Sequence, residues 1–189
     1  GCCFNAEDDA RLSQTLRLMI DGLRDPAMLP RLSVSQWESV IRLARFANLL
    51  PRLAITVADA GLLAEFPEVV IPHLRSAEVI ARHQRQAIEW EVRHIRQAVD
   101  SLGLRIVLLK GAAYAIANLR AASGRLFGDV DILVPEQRLP EVEAALMLHG
   151  WSAGQINPYD DRYYRQWMHE LPPMTHLKRG TVVDVHHNI

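Results

Sequence analysis

Gly124-Arg125-Leu126-Phe127-Gly128-Asp129-Val130-Asp131-Ile132-Leu133-Val134 is the stretch on which the fold of this chain turns. A polar, glycine-containing loop over residues 120–128 leads into six residues that alternate and then stop at Pro135. Alternation at period two is the pattern of a β-strand with one buried face. Val130, Ile132 and Val134 are therefore expected in a core, and Asp129 and Asp131 project together from the other side. Two carboxylates side by side repel, so the pair makes most physical sense where a divalent cation neutralises both. Magnesium takes hard oxygen ligands and usually keeps room for phosphate oxygens, which suits two aspartates at a strand end. Read alone, Asp-x-Asp fits a solvated strand end equally well.

Upstream, Arg105-Ile106-Val107-Leu108-Leu109 is a short apolar run of the kind that forms a buried strand. Lys110-Gly111 closes it and residues 112–119 favour a helix. A glycine at 111 lets backbone approach a phosphate, and a helix start offers free N–H groups; the plainer reading is a tight strand-to-helix turn. Lys110 is one of only two lysines among 21 Lys+Arg residues. Downstream, residues 140–148 read as a helix capped by Gly150. Residues 173–177 and 181–187 flank Lys178-Arg179-Gly180 as a hairpin, and in the second arm Asp184 interrupts a run of valines.

The first hundred residues read as helices. Leu12, Leu16, Met19 and Leu23 mark one face of a helix that stops near Asp25-Pro26. Ser35-Gln36-Trp37-Glu38 has the capping-box pattern, with a helix expected from there to about Leu50 and another from Arg52 to Ala60, capped by Gly61. A long run follows Pro67 and Pro72, its buried stripe marked by Leu74, Ala77, Ile80, Ala87, Ile88, Ile95, Ala98, Val99 and Leu102, ending at Gly103. Glu78, Glu89 and Glu91 alternate with arginines outside that stripe as an ion-paired, solvated face. The fold class is thus α+β: a helical region over residues 1–102, then an α/β core with a mixed sheet over residues 103–189.

The chain has 189 residues, 49% of them hydrophobic, and 21 basic against 22 acidic residues for a net charge of −1. That balance gives no global reason for non-specific DNA binding, so an anion must be met by a local site. The longest apolar stretch, residues 106–119, is interrupted by Lys110 and Asn118 and is too short to span a membrane. With no signal-peptide pattern at the start, a cytoplasmic location is expected. Adjacent Cys2 and Cys3 suit neither a mutual disulfide nor a complete zinc site.

Four ordered motifs carry a resemblance over roughly residues 95–189: Leu109-Lys110-Gly111; the loop and strand 124–134; His169-Glu170-Leu171-Pro172-Pro173; and Val183-Asp184-Val185-His186. Together they resemble the uncharacterised nucleotidyltransferase family, a bacterial branch of the superfamily that includes DNA polymerase beta. The resemblance implies transfer of a nucleoside monophosphate from an NTP, ATP among the choices, to an acceptor hydroxyl by a two-metal mechanism that releases pyrophosphate. It implies that Asp129 and Asp131 hold two Mg2+ (or Mn2+) ions, that Asp184 binds the catalytic metal and helps deprotonate the acceptor, and that Gly111 cradles phosphates with Lys110 or Arg125 supplying positive charge. The acceptor, a small molecule, a protein or an RNA end, is not indicated. Ala112 stands where the wider superfamily usually has Ser or Thr, and the family continues past the Val-Asp-Val-His strand, which implies a core cut close behind its third carboxylate. A non-catalytic partner-binding or toxin–antitoxin module is the alternative reading.

His186 shares a strand face with Asp184 and His187 takes the opposite one, which disfavours a metal-hydrolase site built on Asp-x-His-His and leaves His186 a supporting role beside Asp184. His169-Glu170 reads either as a polar turn or as part of a site. Tyr159, Tyr163, Tyr164 and Trp167, with Arg162 and Arg165, form either a half-buried surface layer or a stacking surface for a base.

Overall fold

The computed structural model describes residues 6–155 and 157–188. Cys2 and Cys3 lie outside the described residues. No helix among the described residues is long and apolar enough to cross a membrane. The chain divides into two compact units: the residues up to His83 together with Ser123–Leu126, and Gln84–Ala122 together with Phe127 onward.

The first unit is helical, with α1 (Ala6–Arg24), α2 (Val34–Phe46), α3 (Leu50–Asp59) and the beginning of α4 (Ile71–Val99). α1 stops where expected, and Asp25 accepts a hydrogen bond from the Ala27 N–H (3.1 Å) to cap a 3-10 turn, Pro26–Arg31. Only Met19 of its expected face is fully buried, and Leu12 and Leu16 are exposed. The capping box of α2 is built on Ser33 rather than Ser35. Gln36 N–H donates to Ser33 Oγ (3.3 Å) while Ser33 N–H donates to Gln36 Oε1 (2.9 Å). α2 ends at Phe46, before Pro51 is reached, and Pro51 sits in the first turn of α3, where a missing N–H costs nothing. Trp37, Val40, Leu53, Val57, Phe66 and Leu74 centre the core of this unit. Gly124 packs here with φ +64°, and a Cβ on it would lie 2.3 Å from Arg52 Cα.

The second unit is α+β. It holds the rest of α4, then β1 (Val107–Leu108), α5 (Lys110–Ile116), β2 (Asp129–Leu133), α6 (Leu139–Leu148), β3 (Trp151–Ser152), α7 (Pro158–Tyr163), β4 (Met174–His176) and β5 (Val182–His186). The five strands form one mixed sheet in the order β1-β2-β5-β4-β3. β2 and β5 run parallel at its centre and the other neighbours pair antiparallel. The hairpin β4–β5 turns at Lys178-Arg179-Gly180 as expected. β1 is shorter than the apolar run suggests, α5 begins at Lys110, and β3 lies where the sequence pattern indicates no strand. Val130, Ile132 and Val134 are buried, as alternation requires, among Ile88, Ile95, Val142, Leu146, Val183 and Val185.

The buried stripe of α4 departs from its sequence reading in three places. Ile80 and Ala87 are exposed, because the stripe steps through Ala77, Ala81 and Ile88 instead. Glu91 is the third departure. It lies three residues after Ile88 and four before Ile95, in line with both, and is 2% exposed. Its charge is met by Arg179, whose Nε and Nη2 reach the two carboxylate oxygens at 3.0 and 2.8 Å. The guanidinium lies over the rings of Trp90 and Trp151 at 5.0 and 4.8 Å and also contacts His176 Nε2. This pair ties the hairpin turn to α4.

Candidate active site

Parallel pairing of β2 with β5 sets Asp131 opposite Asp184 and Asp129 opposite Val182. Residues paired in this way project from the same face, so the register gathers all three carboxylates. One ligand oxygen from each of Asp129, Asp131 and Asp184 lies within 4.8 Å of the others. Asp131 is buried, Asp184 half-buried and Asp129 exposed, so the cluster opens to solvent at Asp129.

Lys110 and His186 close on the buried member. Lys110 Nζ donates to Asp131 Oδ1 at 2.5 Å, and His186 Nε2 lies 3.0 Å from the same oxygen. Lys110 holds φ +44°, a left-handed conformation that a non-glycine residue adopts only at a cost, and this strained step carries the chain from β1 into α5 beside β2. His186 Nδ1 is 3.0 Å from Glu170 Oε2, so the ring bridges two carboxylates. Its hydrogen-bonding partners are thus Asp131 and Glu170, and it lies near enough to Asp184 for its charge to act there as well.

The electrostatics follow from this crowding. Burial works against the charge on Asp131, but the bonded Lys110 ammonium and His186 ring hold its carboxyl below the usual range. The same contact with Asp131 raises Lys110. Asp184 goes the other way. Burial first, then the charges of Asp129, Asp131 and Glu170, push its carboxyl up to about 6, with His186 in partial opposition. Asp184 Oδ1 is buried and has no hydrogen-bond partner among the described residues. A buried orphan oxygen among three convergent carboxylates is what a hard divalent cation would satisfy, and the all-oxygen donor set fits magnesium or manganese.

The remaining expected site residues fall as follows. Gly111 is buried in the first turn of α5. Arg125 is exposed and belongs to the first unit. His187 takes no part in the cluster: its ring meets that of His169 edge-on at 5.5 Å and its Nε2 is 3.2 Å from the Arg165 carbonyl. The aromatic residues occupy α7 and a π turn, Tyr164–Met168. Tyr159, Tyr163 and Trp167 are exposed rather than half-buried. Beside Asp129 a cleft of about 220 Å3 is lined by Gln84, Ile88, Phe127, Gly128 and Thr181, among others. Sequence reading did not single out Glu170 as the partner of His186. The available signal was an acid in a motif that packs beside β5.

Fold and site together define a class: an α+β unit whose mixed sheet presents three acidic side chains from two adjacent parallel strands. The chain belongs to the uncharacterised nucleotidyltransferase family, whose model matches residues 33–189. The match begins at the cap of α2, so the relationship takes in most of the helical region as well as the four motifs. No curated protein and no solved structure is significantly similar to the chain.

Proposed function

We propose that the chain transfers a nucleoside monophosphate from an NTP to the hydroxyl of an acceptor, releasing pyrophosphate. The observation that carries this reading is the orphan Asp184 Oδ1 set against Asp131 and Asp129 on the same sheet face. Asp129, Asp131 and Asp184 would hold Mg2+ or Mn2+. A divalent metal, when bound, supplies charge neutralisation for the triphosphate and for the oxygens of the bond that breaks.

The protein's own groups do the rest. Asp184, paired across the ladder with Asp131, takes the proton of the acceptor hydroxyl as its oxygen bonds to the α-phosphorus and the bond to the β-phosphate oxygen breaks. Lys110 places positive charge at the rim of the cluster, its side chain 60% exposed and able to turn from Asp131 towards a phosphate. Gly111 offers backbone at the same step of the chain, with Ala112 supplying no hydroxyl.

The test is incubation with Mg2+ or Mn2+ and each NTP, labelled in turn at the α- and γ-phosphate, with candidate small-molecule, protein and RNA acceptors. Transfer of the α-label, lost in Asp131→Asn, supports the reading. Transfer of the γ-label instead identifies a kinase. Absence of both, with no Mn2+ binding, favours the non-catalytic partner-binding module.

A further inference from the structure

Glu170 adds a fourth carboxylate to a place that already holds three, and its charge is among those that make ionisation of Asp184 harder. Such an acid needs a role that outweighs the repulsion. Its backbone is fixed by the sheet: Leu171 N–H donates to Val185 O at 2.8 Å, His187 N–H donates to His169 O at 2.9 Å, and Glu170 and His186 form an antiparallel bridge. Glu170 N–H closes the preceding π turn on Tyr164 O at 3.2 Å. Bridge partners present their side chains on one face, and here Glu170 Oε2 meets His186 Nδ1 at 3.0 Å while both side chains are only 13% exposed.

On the far side of the ring, Nε2 reaches Asp131 Oδ1, the oxygen that Lys110 also engages. Both contacts fall on one oxygen of Asp131. Outer groups that orient a metal ligand in this way typically matter about 10–100-fold in metal affinity or activity.

We propose that Glu170 is a positioning residue: it fixes the His186 ring so that Nε2 pins Asp131 Oδ1 and leaves the other oxygen of Asp131 to the cation. The inference rests on the carboxylate trio being the cation site. It predicts that Glu170 acts through His186, and that acceptance of a hydrogen bond at position 170 matters more than charge there.

Mn2+ binding to the full chain, measured by electron paramagnetic resonance without nucleotide, tests this independently of turnover. Glu170→Ala is expected to weaken Mn2+ binding about 10-fold or more with an unchanged melting curve. Glu170→Gln, whose amide oxygen still accepts from Nδ1, should stay within about 3-fold of wild type. In a His186→Ala background, Glu170→Ala should add no further loss. Equal losses in the Ala and Gln variants would show that charge alone matters and overturn the proposal. A full additional loss in the His186→Ala background would overturn it too, as would a wild-type affinity in Glu170→Ala. If Glu170→Ala does not fold, Glu170→Leu, which likewise cannot accept from Nδ1, takes its place in both backgrounds. Failure of the wild-type chain to bind Mn2+ refutes the site itself, which is a different outcome from binding that ignores position 170.

Discussion

Asp131 and Asp184 face each other across the central parallel strands, and their carboxylates are unequally partnered. Lys110 and His186 both engage Asp131 Oδ1, whereas Asp184 Oδ1 is buried without a hydrogen-bond partner among the described residues. The same sheet face thus carries a stabilised carboxylate and a frustrated one, and a bound divalent cation would neutralise the second.

The frustration has a pH signature. Asp184 rises from the usual 3.8 to about 6, through burial and the charges of Asp129, Asp131 and Glu170, against His186. The folded chain then holds this proton more tightly than the unfolded chain does. The resulting stability is fully present below about pH 4 and is lost as pH rises through about 6. In EDTA, wild-type protein should therefore lose melting temperature between about pH 5 and pH 7.5 relative to Asp184→Asn. Millimolar Mn2+ should restore wild type at about pH 7.5 and add little at about pH 5. Parallel profiles for the two proteins in EDTA would refute the raised carboxyl.

Lys110 is the cation already present, and a metal held by the three carboxylates would share Asp131 with it. Lys110→Met should tighten Mn2+ binding in the absence of nucleotide, by about 3–10-fold given the exposure of the side chain. The same variant should raise the KM for NTP in the α-label assay, because the charge offered to phosphate is gone. Weaker Mn2+ binding in Lys110→Met would mean that the lysine supports the cation site rather than competes for it.

The strands of the site were legible because alternation survives in their sequences. Asp129 to Val134 and Thr181 to His187 show which side chains share a face within each strand. They do not show which strands are neighbours, so in the sequence only the resemblance brings Asp184 to Asp129 and Asp131, and the parallel register supplies the physical reason. Glu170 lies 16 positions from His186, at the end of a π turn that has no sequence period. β3 has two residues, too few for any pattern to register. Ser33 and Ser35 each precede a Gln or Glu by three positions, and geometry alone chose Ser33. Glu91 was hidden by composition. Its i+3 and i+4 relations to Ile88 and Ile95 were available, but an acid among alternating arginines reads as surface.

Glu91 also yields a stability prediction. Removing Arg179 leaves a carboxylate that is 2% exposed without its bidentate partner, and breaking such a pair costs about 3–5 kcal/mol. Arg179→Ala should lower the denaturation midpoint accordingly in urea unfolding. Replacing both partners, as Glu91→Leu with Arg179→Met, should recover most of the loss, because no buried charge remains. A single variant within about 0.5 kcal/mol of wild type would show that the carboxylate finds another partner or water.

The two glycines of the 124–128 loop look alike in sequence and differ in what the structure asks of them. Gly124 has φ +64°, and a Cβ there would meet Arg52 Cα at 2.3 Å, Arg52 N at 2.6 Å and Pro51 O at 2.8 Å, all backbone atoms that have no side-chain freedom to yield. Gly128 has ordinary φ, and no described atom lies within 4 Å of the place a Cβ would take. Gly124→Ala should therefore cost at least about 2 kcal/mol in urea unfolding, from conformational strain and a forced shift of the start of α3. Gly128→Ala should stay within about 0.5 kcal/mol. If Gly128→Ala is neutral in stability yet impairs α-label transfer, the second glycine serves substrate approach beside Asp129. If both variants unfold alike, the loop is under tighter packing at Gly128 than its open surroundings imply.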